Sequence, residues 1–169
     1  MNIRAAVLSD ARSIAQVHVY SWQQAYRGQV PDSFLDRLSI DRREVAWKES
    51  ITRGTPEIWV AESGAEIVGW VAFGSSRDDD ASPITGEEEA IYVLPTHWSC
   101  GIGRELWFVA QSRFIERKFT AATLWVLADN ERAIRFYRAA GFSPSLCSER
   151  VSERDGKALR EVRYETALG

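Results

Sequence analysis

A chain of 169 residues that is 45% apolar, 11% aromatic and 27% charged has the make-up of one folded domain, long enough to bury roughly 70% of its extended surface. Its 21 basic and 24 acidic residues leave a net charge of −3, so no chain-wide positive field exists to hold a nucleic-acid backbone. The longest nearly apolar run, 67–74, falls far short of the ~20 residues of a membrane-spanning helix. No signal peptide is expected, because the opening Met1-Asn2-Ile3-Arg4 leads into only a short apolar patch broken at Ser9 and Asp10. Cys100 and Cys147, with the distant His18 and His97, make neither a disulfide framework nor a structural metal site. The expectation is a single domain over 1–169, cytoplasmic, with no metal, membrane or nucleic-acid partner.

The chain opens with a strand over 3–7. Ser9 then reads as a helix cap, followed by Ile14, Val17, His18, Ser21, Trp22 and Ala25 at helical spacing up to Gly28. Two further helical pieces, 32–38 and 41–51, are separated by a bend at Ser39-Ile40. Strands over 58–61 and 67–73 flank a Ser63-Gly64 turn and predict an antiparallel hairpin. The segment 75–86, with Asp78-Asp79-Asp80, Ser82-Pro83 and Gly86, reads as a mobile surface loop. A strand over 89–94 stops at Pro95, and Gly101-Ile102-Gly103 opens a helix running to about Lys118. Its apolar side carries Ile102, Leu106, Val109, Ala110 and Phe114. A continuous apolar strand, 122–127, precedes the caps Asp129-Asn130 and a helix over 131–140 closed by Gly141. The tail pairs 145–151 with 159–166 across Asp155-Gly156, the strongest hairpin dipeptide in the chain. The summed order, β-α-α-β-β-β-α-β-α-β-β, predicts a mixed α/β sheet with helices on both faces.

The run His97-Trp98-Ser99-Cys100-Gly101-Ile102-Gly103 is a glycine-bearing turn into a helix, where free amides and the helix dipole attract phosphate oxygens. It lacks the third glycine of a dinucleotide fingerprint and the Lys-Ser/Thr of a P-loop. Downstream stand Asn130, Ala133, Phe136, Tyr137, Gly141 and Phe142. The pattern strand-Asn-x-x-Ala-x-x-(Phe/Leu)-Tyr-x-x-x-Gly-Phe after a Gly-x-Gly helix resembles the GCN5-related N-acetyltransferase (GNAT) superfamily, and the element order extends that resemblance over essentially the whole chain.

The resemblance implies the GNAT fold, a mostly antiparallel sheet splayed between strands 4 and 5, and acetyl-coenzyme A as cofactor. It implies that Ile91, Tyr92 and Val93 pair with the pantetheine arm through their backbone, as an added strand would. Trp98, Ser99, Cys100, Gly101, Ile102, Gly103 and Arg104 would hold the pyrophosphate, Gly101 and Gly103 leaving it space. Asn130 would contact the cofactor arm, a role compatible with capping its helix. Tyr137 would protonate the departing thiolate, or else be one more aromatic on a core-facing stripe. Two departures stand out. Trp98 occupies the place of a loop-opening glutamine or arginine, and Trp125 stands where other members carry a base.

Amine attack on a thioester requires the loss of a proton, because an alkylammonium with a pKa near ~10.4 offers no lone pair. Of Glu87-Glu88-Glu89, strand alternation puts Glu87 and Glu89 on one face with Ile91 and Val93, and Glu88 on the other. Glu87 and Glu89 are the expected base candidates, Glu87 matching the position best; the plainer reading is a solvated strand edge. Trp22 and Tyr26, one helical turn apart, would wall the acceptor site, with Glu87 beside it, or belong to the core. Asp78-Asp79-Asp80 would favour a cationic acceptor by its local field, or simply be a solvated loop. His18 reads as a polar boundary residue rather than an acceptor-site base, and Cys100 as a small loop residue rather than a nucleophile. The expected function is acetylation of a small-molecule primary amine in a ternary complex. A protein or peptide acceptor, which needs an open groove between the first helices and the closing hairpin, and a non-catalytic acyl-coenzyme A sensor are the alternatives. A homodimer through the 145–166 edge is a further expectation.

Overall fold

A computed structural model describes residues 1–169, apart from the side chain of Cys147. The first strand, β1 (Asn2–Ala5), is held at its end by Arg4, whose guanidinium bridges Asp10 at 2.6 Å and Glu62 at 2.5 Å. The expected Ser9 cap is not used. A 3-10 turn, Leu8–Asp10, intervenes, and the Asp10 carboxylate takes the Val7 amide at 2.8 Å before α1 (Ala11–Ala25) begins. The bend at Ser39 is a helix start: after α2 (Asp32–Asp36), Ser39 accepts the Arg42 amide and caps α3 (Ile40–Arg53), which ends on left-handed Gly54.

The strands β2 (Glu57–Ser63), β3 (Glu66–Ser75) and β4 (Thr85–Val93) form an antiparallel meander, and α4 (Ile102–Glu116) returns the chain to β5 (Ala121–Leu127). After α5 (Glu131–Ala139), the hairpin of β6 (Ser143–Arg154) and β7 (Lys157–Ala167) turns at Asp155 and Gly156, both at positive φ as an Asp-Gly hairpin turn requires. The seven strands lie in the order β1-β2-β3-β4-β5-β7-β6, with every neighbour antiparallel except β4 and β5.

Both faces are covered. On one, Phe73, Leu106, Phe114 and Leu124 join α4 to the sheet; on the other, Ile14, Val17 and Trp70 seat α1. Leu106, Ala110 and Phe114 bury the expected stripe of α4, with Trp107 added to it and Val109 only half-buried. Gly86 is needed where β4 passes under α4, because a Cβ there would sit 2.5 Å from the Phe114 ring.

Two irregularities shape the centre. The parallel pairing of β4 with β5 covers only Thr85, Gly86 and Glu87 against Ala121, Ala122 and Thr123, after which the strands part. In β4, Ala90 pairs with Ala72 but Glu88 pairs with Phe73, so Glu89 is an inserted residue. Such a bulge reverses which face the following side chains take.

Candidate active site

The parting of β4 and β5 opens a groove of about 1290 Å³ that crosses the sheet from the start of α4 to the space between α1, α3 and the β6–β7 hairpin. At its first end, Ser99 and Gly101 both adopt positive φ. The amides of Gly101, Ile102, Gly103 and Arg104 have no main-chain acceptor among the described residues, and no side chain caps α4. This is an anion-binding helix start with a concave turn before it. Arg104 stands in the first turn, and the Arg132 guanidinium lies 3.4 Å over the Trp98 ring. Trp98 therefore braces an arginine rather than facing an anion itself. Gly101 has open space where a side chain would be, whereas the bare Cα of Gly103 admits Phe136, which a Cβ would meet at 3.3 Å. Gly103 thus serves helix packing as well as the loop.

Along the groove wall, the orientation of the β4 amides follows from one bond. The Leu94 amide donates to Val68 of β3 at 2.8 Å, so the amides of Val93 and Ile91, which alternate with it, face away from β3 into the opening. The Val93 carbonyl, on the same side, is fixed by Ser21 Oγ at 3.1 Å and by Trp98 Nε1 at 2.7 Å. Asn130 caps α5 by accepting the Ala133 amide with Oδ1, and its Nδ2 has no partner among the described residues. These residues fit coenzyme A on three counts: unpaired amides for the diphosphate, an open strand edge for a peptide-like arm, and arginines free of carboxylates nearby.

At the point of divergence, Tyr137 Oη donates to Glu88 Oε1 at 3.0 Å, both side chains being buried. Glu88 Oε2 is also buried and has no partner. Desolvation pushes the Glu88 carboxyl up to about 8, against the hydrogen bond from Tyr137, which favours its charged form. Burial and the neighbouring Glu88 hold the Tyr137 phenol well above its ordinary value, so it keeps its proton.

The bulge corrects the expected facing of the three glutamates. Glu88, not Glu87 or Glu89, shares the side of Ile91 and Val93 and meets Tyr137. Glu87 is buried and fully engaged: Arg77 reaches it through Nη2 at 2.6 Å and through its amide at 2.9 Å. Glu89, half-buried, lies 3.4 Å from the same guanidinium, with its carboxyl raised by burial.

At the acceptor end, Trp22 and Tyr26 meet edge to face at 4.9 Å, and the Tyr26 and Tyr92 hydroxyls bond at 3.0 Å. Both expected wall residues line the groove. His18 is no boundary residue. It is 7% exposed, stacks on Tyr92 at 5.8 Å, and is ringed by Trp22, Trp47 and Trp70. Desolvation takes its pKa down to about 3, which leaves a neutral ring and a weak base. The 75–86 loop is pinned rather than loose, because Trp125 Nε1 donates to Asp78 at 2.9 Å and Arg163 bridges Asp78 at 3.2 Å and Asp80 at 2.6 Å. Two of the three aspartates expected to draw a cation are therefore engaged by Arg163. Cys100 is free and exposed. Among the described residues, no metal-binding cluster occurs and no helix is long and apolar enough to cross a membrane.

The tip of the β6–β7 hairpin is tied to α2. Asp155 accepts from Ser33 Oγ at 2.7 Å and from both terminal nitrogens of Arg37 at 2.9 and 2.7 Å, which latches the hairpin to α2.

A family model described as the acetyltransferase (GNAT) family matches residues 17–142. The chain belongs to the GNAT family. It is 31% identical over 163 residues to the uncharacterized N-acetyltransferase YuaI of Bacillus subtilis, covering 96% of this chain and 90% of that one. To the L-amino acid N-acyltransferase MnaT of Escherichia coli it is 26% identical over 163 residues, covering 94% and 89% of the two chains. The solved structure of YncA from Salmonella typhimurium with its cofactor acetyl-CoA superposes with a TM-score of 0.77 at 23% identity, covering 100% of this chain and 94% of that one. The mostly antiparallel sheet, splayed between its fourth and fifth strands, is the one the family resemblance implies.

Glu88 and the Asp155 latch escaped the sequence reading. The only signal for Glu88 was its place between two other glutamates, and alternation pointed it the wrong way.

Proposed function

We propose that this GNAT member transfers the acetyl group of acetyl-coenzyme A to the primary amine of a small molecule. The observation that carries the reading is the Tyr137–Glu88 pair, buried where β4 and β5 part, with one carboxylate oxygen unpartnered. When bound, the cofactor supplies an activated acetyl thioester. Gly101, Ile102, Gly103 and Arg104 would hold its diphosphate, and the Ile91 and Val93 amides its arm, with the Val93 amide at the carbonyl to be polarised. In this reading Glu88 Oε2 takes the proton that an ammonium must shed, and with a pKa near 8 the carboxyl releases and accepts protons close to neutrality. Tyr137 keeps a proton at Oη for a leaving thiolate. Glu87, clamped by Arg77, acts in this reading as a positioning residue for the loop before β4 rather than as the base.

Support for a small acceptor comes from the latch of Asp155 to Arg37 and Ser33, which ties the closing hairpin to α2, whereas a peptide acceptor needs an open groove between the first helices and that hairpin. The likeness to a relative named for amino-acid acylation agrees with it. The test is coenzyme A release from acetyl-coenzyme A across polyamines, amino acids, aminoglycosides and peptides, for the wild type and Tyr137→Phe. Turnover with a small amine that falls about 100-fold in the variant, at unchanged acetyl-coenzyme A affinity, supports the reading. Cofactor binding with no amine acetylated would make the protein a sensor, and acetylation of peptides alone would make it a protein acetyltransferase.

A further inference from the structure

Four arginines line the groove with no carboxylate within ion-pairing distance: Arg104, Arg132, Arg43 and Arg154. The first two flank the anion-binding loop, where a diphosphate accounts for them. The other two stand at the acceptor end, Arg43 on α3 and Arg154 at the close of β6, with its guanidinium 5.6 Å over the Phe34 ring. No carboxylate there is left to answer them. Glu87 and Glu89 both turn to Arg77, Glu161 is taken by Arg150 at 2.9 Å, Glu88 faces Tyr137, and Asp155 is held by Arg37. The Arg43 side chain is half-buried, and its guanidinium donates to no hydrogen-bond or ion-pair partner among the described residues. Both guanidiniums line the groove, and burial together with the charge of Arg154 works against the charge of Arg43, which Tyr92 favours. A cation kept partly out of water without a counter-ion is costly, and the cost falls when an anion binds between the two.

Resting on the amine-acetyltransferase reading above, we propose that Arg43, assisted by Arg154, anchors a carboxylate of the acceptor, so that the enzyme acetylates amines bearing an acid group. A guanidinium fork matches a carboxylate in two parallel hydrogen bonds. Arg43, Tyr92 and Glu88 line the same groove. An acceptor held by its acid at Arg43 therefore has its amine in the space that Glu88 borders.

The experiment measures kcat/KM for the twenty L-amino acids and for ω-amino acids of increasing length, each against its carboxamide, with the full chain and acetyl-coenzyme A. An acid preferred over its amide by about 10- to 100-fold, a preference that collapses in Arg43→Gln mainly through KM, supports the proposal. Arg43→Glu extends the test, because it should turn selectivity toward diamines such as cadaverine. Calorimetric titration with acetyl-coenzyme A, expected to give unchanged affinity, confirms that both variants are folded. Amides used as well as acids by the wild type, or a preference that survives Arg43→Gln, overturns the carboxylate anchor while leaving the acetyltransferase intact. A wild type that binds acetyl-coenzyme A and acetylates no amine removes the acetyltransferase reading and the anchor with it.

Discussion

Glu88 pays the whole cost of its burial in its acid-base behaviour. Its carboxyl titrates near 8 in the folded chain against an ordinary 4.5, so between these values the native state holds a proton that the unfolded chain has released. The stability this proton contributes is complete at low pH and is lost as the pH rises toward 8. Melting temperatures of the wild type should therefore fall from about pH 5 to pH 8 relative to Glu88→Gln, whose neutral amide has nothing to lose; parallel curves for the two proteins would contradict the raised value. Little of this was open to the sequence. Three adjacent glutamates announce an acid at the site, but a period of two cannot reveal that Glu89 is an inserted residue, and that insertion decides which carboxylate meets Tyr137. Tyr137 and Asn130 were legible because their spacing along α5 is part of the motif. The lone state of Arg43 was not, since partnership between α3, β4 and β6 exists only in the fold.

At the scale of elements, apolar periodicity located the strands and α-helices, with ends displaced by a few residues where capping chemistry intervenes, as at Asp10 and Ser39, while β4 begins at Thr85, inside the expected 75–86 loop, because its first residues pair with β5. The loop between β3 and β4 was misjudged for an electrostatic reason. Its aspartates look solvated in sequence, and only the pairing of β5 with β7 brings Arg163 and Trp125 beneath them. Gly86 shows the tightest constraint inside an element. Replacing it with alanine drives a methyl into Phe114 just where β4 is about to leave β5, and overpacking of this kind costs about 1–3 kcal/mol. In a domain of this length each kcal/mol lowers Tm by about 2–4 °C. Calorimetry of Gly86→Ala should find that drop, and an unchanged Tm would mean that α4 can shift freely over the sheet.

For the whole molecule, the architecture turns one structural fault to use: a sheet whose middle pair separates presents unpaired amides, a buried acid and a helix start along one continuous groove. Periodicity could not foresee the separation, which entered the sequence reading only through family resemblance. The hairpin latch works at the same scale. Asp155 occupies a left-handed position that asparagine also tolerates, so Asp155→Asn removes the charge without straining the turn. The variant should keep its Tm, since exposed ion pairs contribute little stability, while KM for the small acceptor rises several-fold. A KM equal to that of the wild type would detach the latch from acceptor binding.

The most direct measurement is the pH dependence of kcat/KM for acetyl transfer in the wild type and in Glu88→Gln. The wild type should gain activity through an apparent pKa near 8, and the variant should fall about 100-fold or more, retaining only the limb set by the acceptor amine. A variant as active as the wild type, or one that keeps the limb near 8, would show that the buried glutamate at the parting of the strands does not carry the proton.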